Sequence, residues 1–490
     1  MLQSEIYERA RLSRDARFDG QFYIGVKTTG IYCRPICPAN SPKSSNVQFF
    51  PSAASAGEAG FRPCLRCRPE CAPGTPAWSG TSTTVRRGLR LISGGALDDG
   101  SVESLAERLG VTSRHLRRLF GTHLGASPLA VAHTQRLHFA KRLIDETSLS
   151  MNHIAAAAGY GSVRRFNDAF RKTYGRSPRD LRKAGNDVEL AGERAATLTV
   201  RLPYRQPFDW QQLLAFFRFR ATPGVESVSR DSYLRTLRIG EDHCIVEVRP
   251  DRRPGYLSLT LRSVNTNTLF ETVQTAREVF DLDAPVPEIA ATLGGDPGLQ
   301  RMLRKNPGVR VPGAWDGFEL TVRAILGQQI SVKAATTIAG RIAARYGDTL
   351  KTLVEKDAGT LNRVFPTADR LSRARFNDIG IVQSRAATLR RVSTAVVNGD
   401  ISFDAAQDPG EFCSSLQAIK GIGEWTAQYI AMRALKNPDA FPHSDLGLIS
   451  AIDYPQRLTP KELLTRAENW RPWRAYAAML LWGSLPGSGG

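Results

Sequence analysis

The chain has no apolar run of membrane-spanning length, and its start does not resemble a secretory signal: Met1-Leu2-Gln3 leads into a charged stretch with Glu5, Glu8, Arg9 and Arg11. A soluble cytoplasmic protein with no membrane partner is the expectation. Cysteine is scarce and odd in number, seven in 490 residues, and five of the seven fall between positions 33 and 71. Such clustering speaks against a secreted disulfide framework and for a metal site. Acidic charge is the scarcer sign. Residues 1–185 hold 28 Lys and Arg against 14 Asp and Glu, so most of the formal charge of +19 sits there. A local basic excess suits a polyanionic partner, because each phosphate contact releases condensed counterions; a merely soluble basic surface is the alternative.

At this length, with 42% hydrophobic residues, three or four domains are expected. Apolar periodicity lapses at 72–83 ("APGTPAWSGTST") and at 183–197, which read as linkers. From 198 to about 262, "TLTVRLPY", "YLRTLRIG" and "CIVEVRP" alternate as strands, with "FDWQQLLAFFRF" helical between them. After about 286 the pattern is almost wholly helical, ending in a "GSLPGSGG" tail that reads as disordered. The expected fold is multidomain and mainly α with α+β parts, divided at 1–78, 84–185, 197–285 and 286–483.

An internal repeat marks the basic half. "LAERLGVTSRHLRRLFGTHLGASP" (105–128) returns as "IAAAAGYGSVRRFNDAFRKTYGRSP" (154–178), with Gly110 matched by Gly159 and Ser127-Pro128 by Ser177-Pro178. Each copy predicts helix, tight turn, helix, the second helix carrying an apolar stripe opposite polar residues that can reach base edges. The layout resembles the AraC-type DNA-binding domain. That resemblance implies two readers of successive major grooves, with Ser113, Arg114, Arg117, Arg164, Arg165 and Asn167 facing DNA. A helical bundle with a solvated basic face is the plainer alternative.

Cys33-x3-Cys37 and Cys64-x2-Cys67 form two chelating pairs 27 residues apart, a spacing that lets four thiolates surround one tetrahedral Zn2+. A four-thiolate site in general is more often structural than chemical. Here "TTGIYCRPICPA" and "GFRPCLRCRPE" resemble the amino-terminal domain of the Ada family, which repairs methylphosphotriesters in DNA. The resemblance implies that Cys33 accepts the methyl group, and that the thioether so formed strengthens DNA binding and activates transcription, with promoter DNA and RNA polymerase as partners. Cys71 matches no family ligand. The Pro-Cys-His-Arg motif of the family's methylguanine methyltransferase is absent, so direct reversal of base methylation is not expected.

In "LQAIKGIGEWTAQYIAMRAL" (416–435), Gly421-Ile422-Gly423 lies between two apolar helices, a helix-hairpin-helix signature in which glycine lets backbone amides approach a phosphate. Asp445 follows Gly423 by 22 residues in "AFPHSDLGLI". Together with "DGFELTVRAILGQQISVKAA" (316–335) and "WRPWRAYAAMLLW" (470–482), this resembles the AlkA family of 3-methyladenine DNA glycosylases across nearly all of 198–483. The resemblance implies that Asp445 is catalytic and that Trp425, Tyr429 and Trp473 line a pocket for the flipped alkylated base. The resemblance further implies that Lys420, Gly421 and Gly423 form the DNA hairpin and that Gln329 is the wedge where AlkA has leucine. For the aromatic residues, core packing is the competing account. Some relatives place a Schiff-base lysine where Trp425 stands, so a strand-nicking step is not expected. No cysteine follows Cys413, so neither is an iron–sulfur cluster. The sequence therefore predicts a monomeric, nucleoid-associated, monofunctional glycosylase fused to a methyl-activated regulator. A second reading makes it a regulator whose carboxy-terminal half only binds damaged DNA.

Overall fold

The computed structural model describes residues 2–73, 83–182, 194–240, 242–265, 268–350, 360–452 and 458–485. The predicted linkers and tail fall mostly on 74–82, 183–193 and 486–490, outside the described residues. No described helix is long and apolar enough to cross a membrane.

The first part is a four-stranded sheet, β1 (Tyr23–Val26), β2 (Ile31–Cys33), β3 (Val47–Phe50) and β4 (Arg62–Pro63), in the order β3-β1-β2-β4. Strands β2 and β4 run parallel with Ile31 opposite Arg62 and Tyr32 opposite Pro63. Each strand is followed at once by a cysteine knuckle, so the register delivers both chelating pairs to one end of the sheet.

The second part is helical and holds the predicted repeat. Val102–Arg108 and Ser113–Leu124 form the first unit, Met151–Ala157 and Val163–Tyr174 the second, and Pro128–Glu146 joins them. Both turns need a left-handed residue, supplied by Gly110 (φ +70°) and Gly159 (φ +73°). An L side chain there would cost about 1 kcal/mol or more. The second helices are capped alike: the Thr112 side chain accepts from the His115 amide, and that of Ser162 from the Arg165 amide. The two Ser-Pro pairs are likewise an N-cap followed by proline in the first turn.

The third part is an antiparallel sheet of β5 (Arg194–Pro203), β6 (Glu226–Val228), β7 (Tyr233–Ile239), β8 (Asp242–Pro250) and β9 (Tyr256–Asn265), ordered β5-β9-β8-β7-β6. The helices Trp210–Arg220 and Leu269–Val279 bury their apolar faces in the same core as Leu198, Val200 and Leu202. The fourth part is a helical body from Val286–Leu293 to Arg474–Gly483 around a single large core.

How the halves meet carries no local signature along the chain. In the structure they share a core: Leu137, Phe139, Leu143 and Ile144 of Pro128–Glu146 cluster with Val200, Val246, Leu259 and Phe280 of the second sheet. The rings of Phe139 and Phe270 lie 4.8 Å apart. The helix Thr83–Ser93 adds polar links, with Arg90 Nε donating to Glu278 at 3.1 Å and Nη1 to the Leu435 carbonyl at 2.8 Å, and Arg87 donating to the Ala406 carbonyl.

Candidate metal centre and base-excision site

The parallel pairing of β2 and β4 carries the Cys64 amide to the Tyr32 carbonyl at 3.0 Å, placing Cys64 beside Cys33. Tight turns then bring in the second member of each pair. The sulfur atoms of Cys33, Cys37, Cys64 and Cys67 all lie within 4.8 Å of one another. Tetrahedral zinc, with Zn–S of about 2.3 Å, needs sulfurs about 3.8 Å apart, a spacing that lies within this limit, so the donor set fits. The Arg34 amide points at Cys67 Sγ at 3.4 Å, the kind of N–H contact that steadies a thiolate. Arg34 itself is buried in an ion pair with Asp19 and donates to the Cys67 carbonyl at 3.1 Å. Cys64 and Cys67 are buried and Cys33 and Cys37 half-buried, and Cys33, Cys37 and Cys64 line an open cleft with Thr28, Ile31, Pro35 and Asn40. Cys71 is buried apart from the four, and burial pushes its thiol up to about 11.

The metal-bearing sheet docks on the helical part next to the cysteines. Tyr32, the neighbour of Cys33, shares a 2.9 Å hydrogen bond with His138 on Pro128–Glu146. On the two predicted reading helices Arg114, Arg117, Arg164 and Arg165 are exposed, and Ser113 and Asn167 half-buried, while Leu116, Phe120, Phe166 and Phe170 face inward. Arg117 is held at 2.8 Å by Glu103.

In the fourth part, Asp445 caps the helix Leu446–Ala451, Oδ1 accepting from the Leu448 amide at 3.0 Å. Two indoles also donate to this carboxylate: Trp425 Nε1 to Oδ2 at 2.7 Å and Trp482 Nε1 to Oδ1 at 3.0 Å. Among the described residues, one in-plane lone pair, on Oδ2, is left without a donor. Trp425 and Tyr429, four residues apart on Glu424–Arg433, stack with centroids 5.4 Å apart and planes 5° from parallel. Trp482 stands edge-on to Tyr429 at 6.2 Å. The Tyr429 hydroxyl accepts from Arg433 Nη1 at 2.7 Å, and Arg433 is fixed by the carbonyls of Pro312 and Gly313. Burial alone would raise the phenol's pKa, but the guanidinium groups of Arg433, Arg220 and Arg323 outweigh it and the net shift is downward.

Trp473, expected to line the base pocket, is 2% exposed and packed edge-on against Tyr476 at 5.8 Å within the main core, while the indoles that donate to Asp445 are those of Trp425 and Trp482. Trp473 is the N-cap of Arg474–Gly483, whereas Trp482 stands near the other end of that helix, which reaches Asp445. Trp482 is the residue that the sequence reading missed, although it closes the same Trp-rich motif.

Gln329 lies between Gly317–Leu326 and Val332–Tyr346, exposed and in the left-handed region at φ +57°. Such backbone costs on the order of 1–3 kcal/mol in a non-glycine residue and persists only where its surroundings hold it. What holds it is Gln328, also overlooked in the sequence: its side-chain amide donates to the Gly421 carbonyl and to Thr426 Oγ1, both at 3.1 Å. Gln329 and the hairpin are thereby fixed to each other. Gly421 has φ +103°, and a Cβ there would meet Thr388 Oγ1 at 2.1 Å. At Gly423, the N-cap of Glu424–Arg433, a Cβ would meet nothing within 4 Å, so the hairpin amides stand open. Lys420 beside them is exposed.

Comparison with known proteins finds four family models in succession along the chain, the third running past the expected boundary at 285. Residues 7–70 match the family described as the metal binding domain of Ada, and 105–184 a helix-turn-helix domain. Residues 199–316 match the AlkA N-terminal domain, and 322–475 the HhH-GPD superfamily of base excision DNA repair proteins. A probable bifunctional transcriptional activator/DNA repair enzyme AlkA of Mycobacterium tuberculosis is 40% identical over 97% of this chain and 95% of its own length. The DNA-3-methyladenine glycosylase 2 of Escherichia coli is 32% identical over 57% of this chain and 95% of its own. Among solved structures, a 3-methyladenine DNA-glycosylase from Archaeoglobus fulgidus shares the fold of the carboxy-terminal half, with a TM-score of 0.50 at 20% identity over 57% of this chain and 96% of that one. With one relative matched almost end to end and all four of its parts accounted for, the chain belongs to the family of bifunctional transcriptional activator/DNA repair proteins that join an Ada-type amino-terminal half to an AlkA-type glycosylase.

Proposed function

We propose that the chain repairs alkylated double-stranded DNA in two ways, hydrolysing the glycosidic bond of 3-methyladenine-type bases and taking methyl groups from phosphotriesters onto Cys33. The observation that carries the first activity is the carboxylate of Asp445 held by two indole N–H groups beside a stacked Trp425 and Tyr429. A flipped cationic base is attracted by electron-rich rings. As its bond to the sugar breaks, positive charge develops on the sugar, and the remaining Oδ2 lone pair of Asp445 stabilises it or orients the attacking water. A cationic purine leaves readily, so no strong general acid is required. With Trp425 where a lyase would keep a lysine, the product is an abasic site in an uncut strand. Gln329 on its strained loop fills the gap left by the base, with hydrogen bonds in place of apolar contact. Lys420 and the amides at Gly421 and Gly423 take a backbone phosphate.

In the other half, zinc held by Cys33, Cys37, Cys64 and Cys67 would keep the sulfurs deprotonated at neutral pH. Cys33 Sγ, open to the cleft, attacks the methyl carbon; the carbon–oxygen bond breaks, the phosphate leaves as an ordinary diester anion, and Cys33 becomes a thioether. One negative charge facing the DNA is removed, which favours phosphate binding by the reading helices with their Arg114, Arg117, Arg164 and Arg165. Methylation thus becomes a signal to promoter DNA and RNA polymerase, read by a monomer working at the nucleoid.

The experiment is incubation with radiomethylated duplex DNA, counting label freed as base separately from label bound to protein. Both pools are expected. Protein-bound label alone would make the carboxy-terminal half a damaged-DNA binding module, and free base alone would reduce the zinc site to structure.

A further inference from the structure

Apart from both sites, a cavity of about 260 Å3 lies where the metal-bearing sheet, the helical part and the second sheet domain meet. Tyr23, Phe139 and Phe270 give it apolar wall; Gln135, Gln274 and Arg142 give it polar wall. Arg142 is 8% exposed, and among the described residues its Nε and Nη2 have no hydrogen-bond partner. Neighbouring charges are already matched. Arg90 donates to Glu278 at 3.1 Å, Arg277 to Asp283 at 3.1 Å, and Glu70 accepts from Arg68 at 3.1 Å. Glu146, one turn after Arg142, accepts from the Arg201 amide at 3.0 Å and stands 4.0 Å from Arg68. Desolvated guanidinium N–H groups without an acceptor are costly, and the planar fork of arginine is best satisfied by an oxyanion.

We propose that this junction cavity binds a small organic anion, its phosphate or carboxylate oxygens accepting from Arg142 and its apolar body lying against Phe139 and Phe270. The volume is below the usual range for drug-sized ligands and suits a single ring bearing one anionic group. Because three parts of the chain form the walls, the ligand would stabilise their docked arrangement, giving the regulator half and the glycosylase half a common effector. The proposal does not depend on either activity proposed above.

The test is thermal unfolding of the full-length zinc-loaded protein with phenyl phosphate or benzoate, against sodium chloride at equal ionic strength. Either probe should raise Tm by several degrees at millimolar concentration, and whichever acts names the anionic group. In Arg142→Met, which puts an apolar side chain of similar length at the buried position, Tm should rise without ligand and the response to the probe should vanish. No response to either probe in the parent protein would overturn the proposal. So would an equal response in Arg142→Met, which would place the anion on the DNA-facing surfaces. Should that variant fail to fold, anomalous diffraction from crystals of the parent soaked in tungstate decides: a peak against Arg142 supports the site, and an empty junction refutes it.

Discussion

Asp445 can be tested without disturbing its helix, because asparagine is as good an N-cap as aspartate. Asp445→Asn should keep its affinity for DNA containing an abasic-site analogue while excision in single turnover falls by roughly 10²–10³-fold, the usual cost of losing electrostatic stabilisation of a developing charge. Undiminished excision would move the chemistry elsewhere. The two tryptophans of the last motif separate pocket from core. Trp482→Phe keeps a ring and deletes the N–H to Asp445, so excision should drop about ten- to a hundredfold with Tm almost unchanged. Trp473→Ala should instead cost about 3–5 kcal/mol of stability, measured by denaturant unfolding. The opposite pattern would restore Trp473 to the pocket. The choice between them was not legible in the sequence: both sit in one motif, and only the path of its helix decides which indole reaches the carboxylate. Gln328 was hidden for a similar reason, since nothing in the sequence distinguishes it from Gln329. The four cysteines were legible, because their spacing along the chain is itself the chemical requirement, whereas Asp445 was named only through a family resemblance.

Among the elements, the duplicated helix-turn-helix was the most readable, since its glycines, caps and Ser-Pro starts are local signals that need no tertiary knowledge. Less readable was the role of Pro128–Glu146, which joins the two units and also receives the metal-bearing sheet through Tyr32 and His138. Burial lowers the His138 pKa from 6.5 to about 3, so the folded state holds the ring neutral. The stability this contributes is present above pH 6.5, and is lost as the pH falls toward 3, because the unfolded chain takes up a proton that the folded chain refuses. The slope is about 1.4 kcal/mol for each pH unit. His138→Gln, still able to hydrogen-bond Tyr32, should therefore lose less stability than the parent between pH 6.5 and 4.5 when unfolding is followed in urea. Parallel curves would mean that His138 is protonated in the folded protein.

At the scale of the whole molecule, four domains were expected, and what the sequence concealed is that two of them share a core. A leucine or phenylalanine facing its own domain and one facing a neighbour give the same periodic pattern, so Leu137, Phe139 and Phe270 read as ordinary core residues. The polar links are secondary. Arg108 and Asp404, for example, pair at 2.8 Å but are each more than a third exposed, and such pairs contribute about 0–1 kcal/mol. If the apolar interface does the holding, the covalent connection through 183–193 is dispensable for docking. A protease site placed there and cut after folding should leave the fragments co-eluting in gel filtration, in high salt as well as low, since apolar burial is not screened. Phe270→Asp should release them, because a carboxylate would then have to be buried against Phe139 without a partner. Fragments that separate on cutting, before any substitution, would show that the regulator and glycosylase are two bodies on a tether. Damage recognition by one half would then place the other by linker length alone.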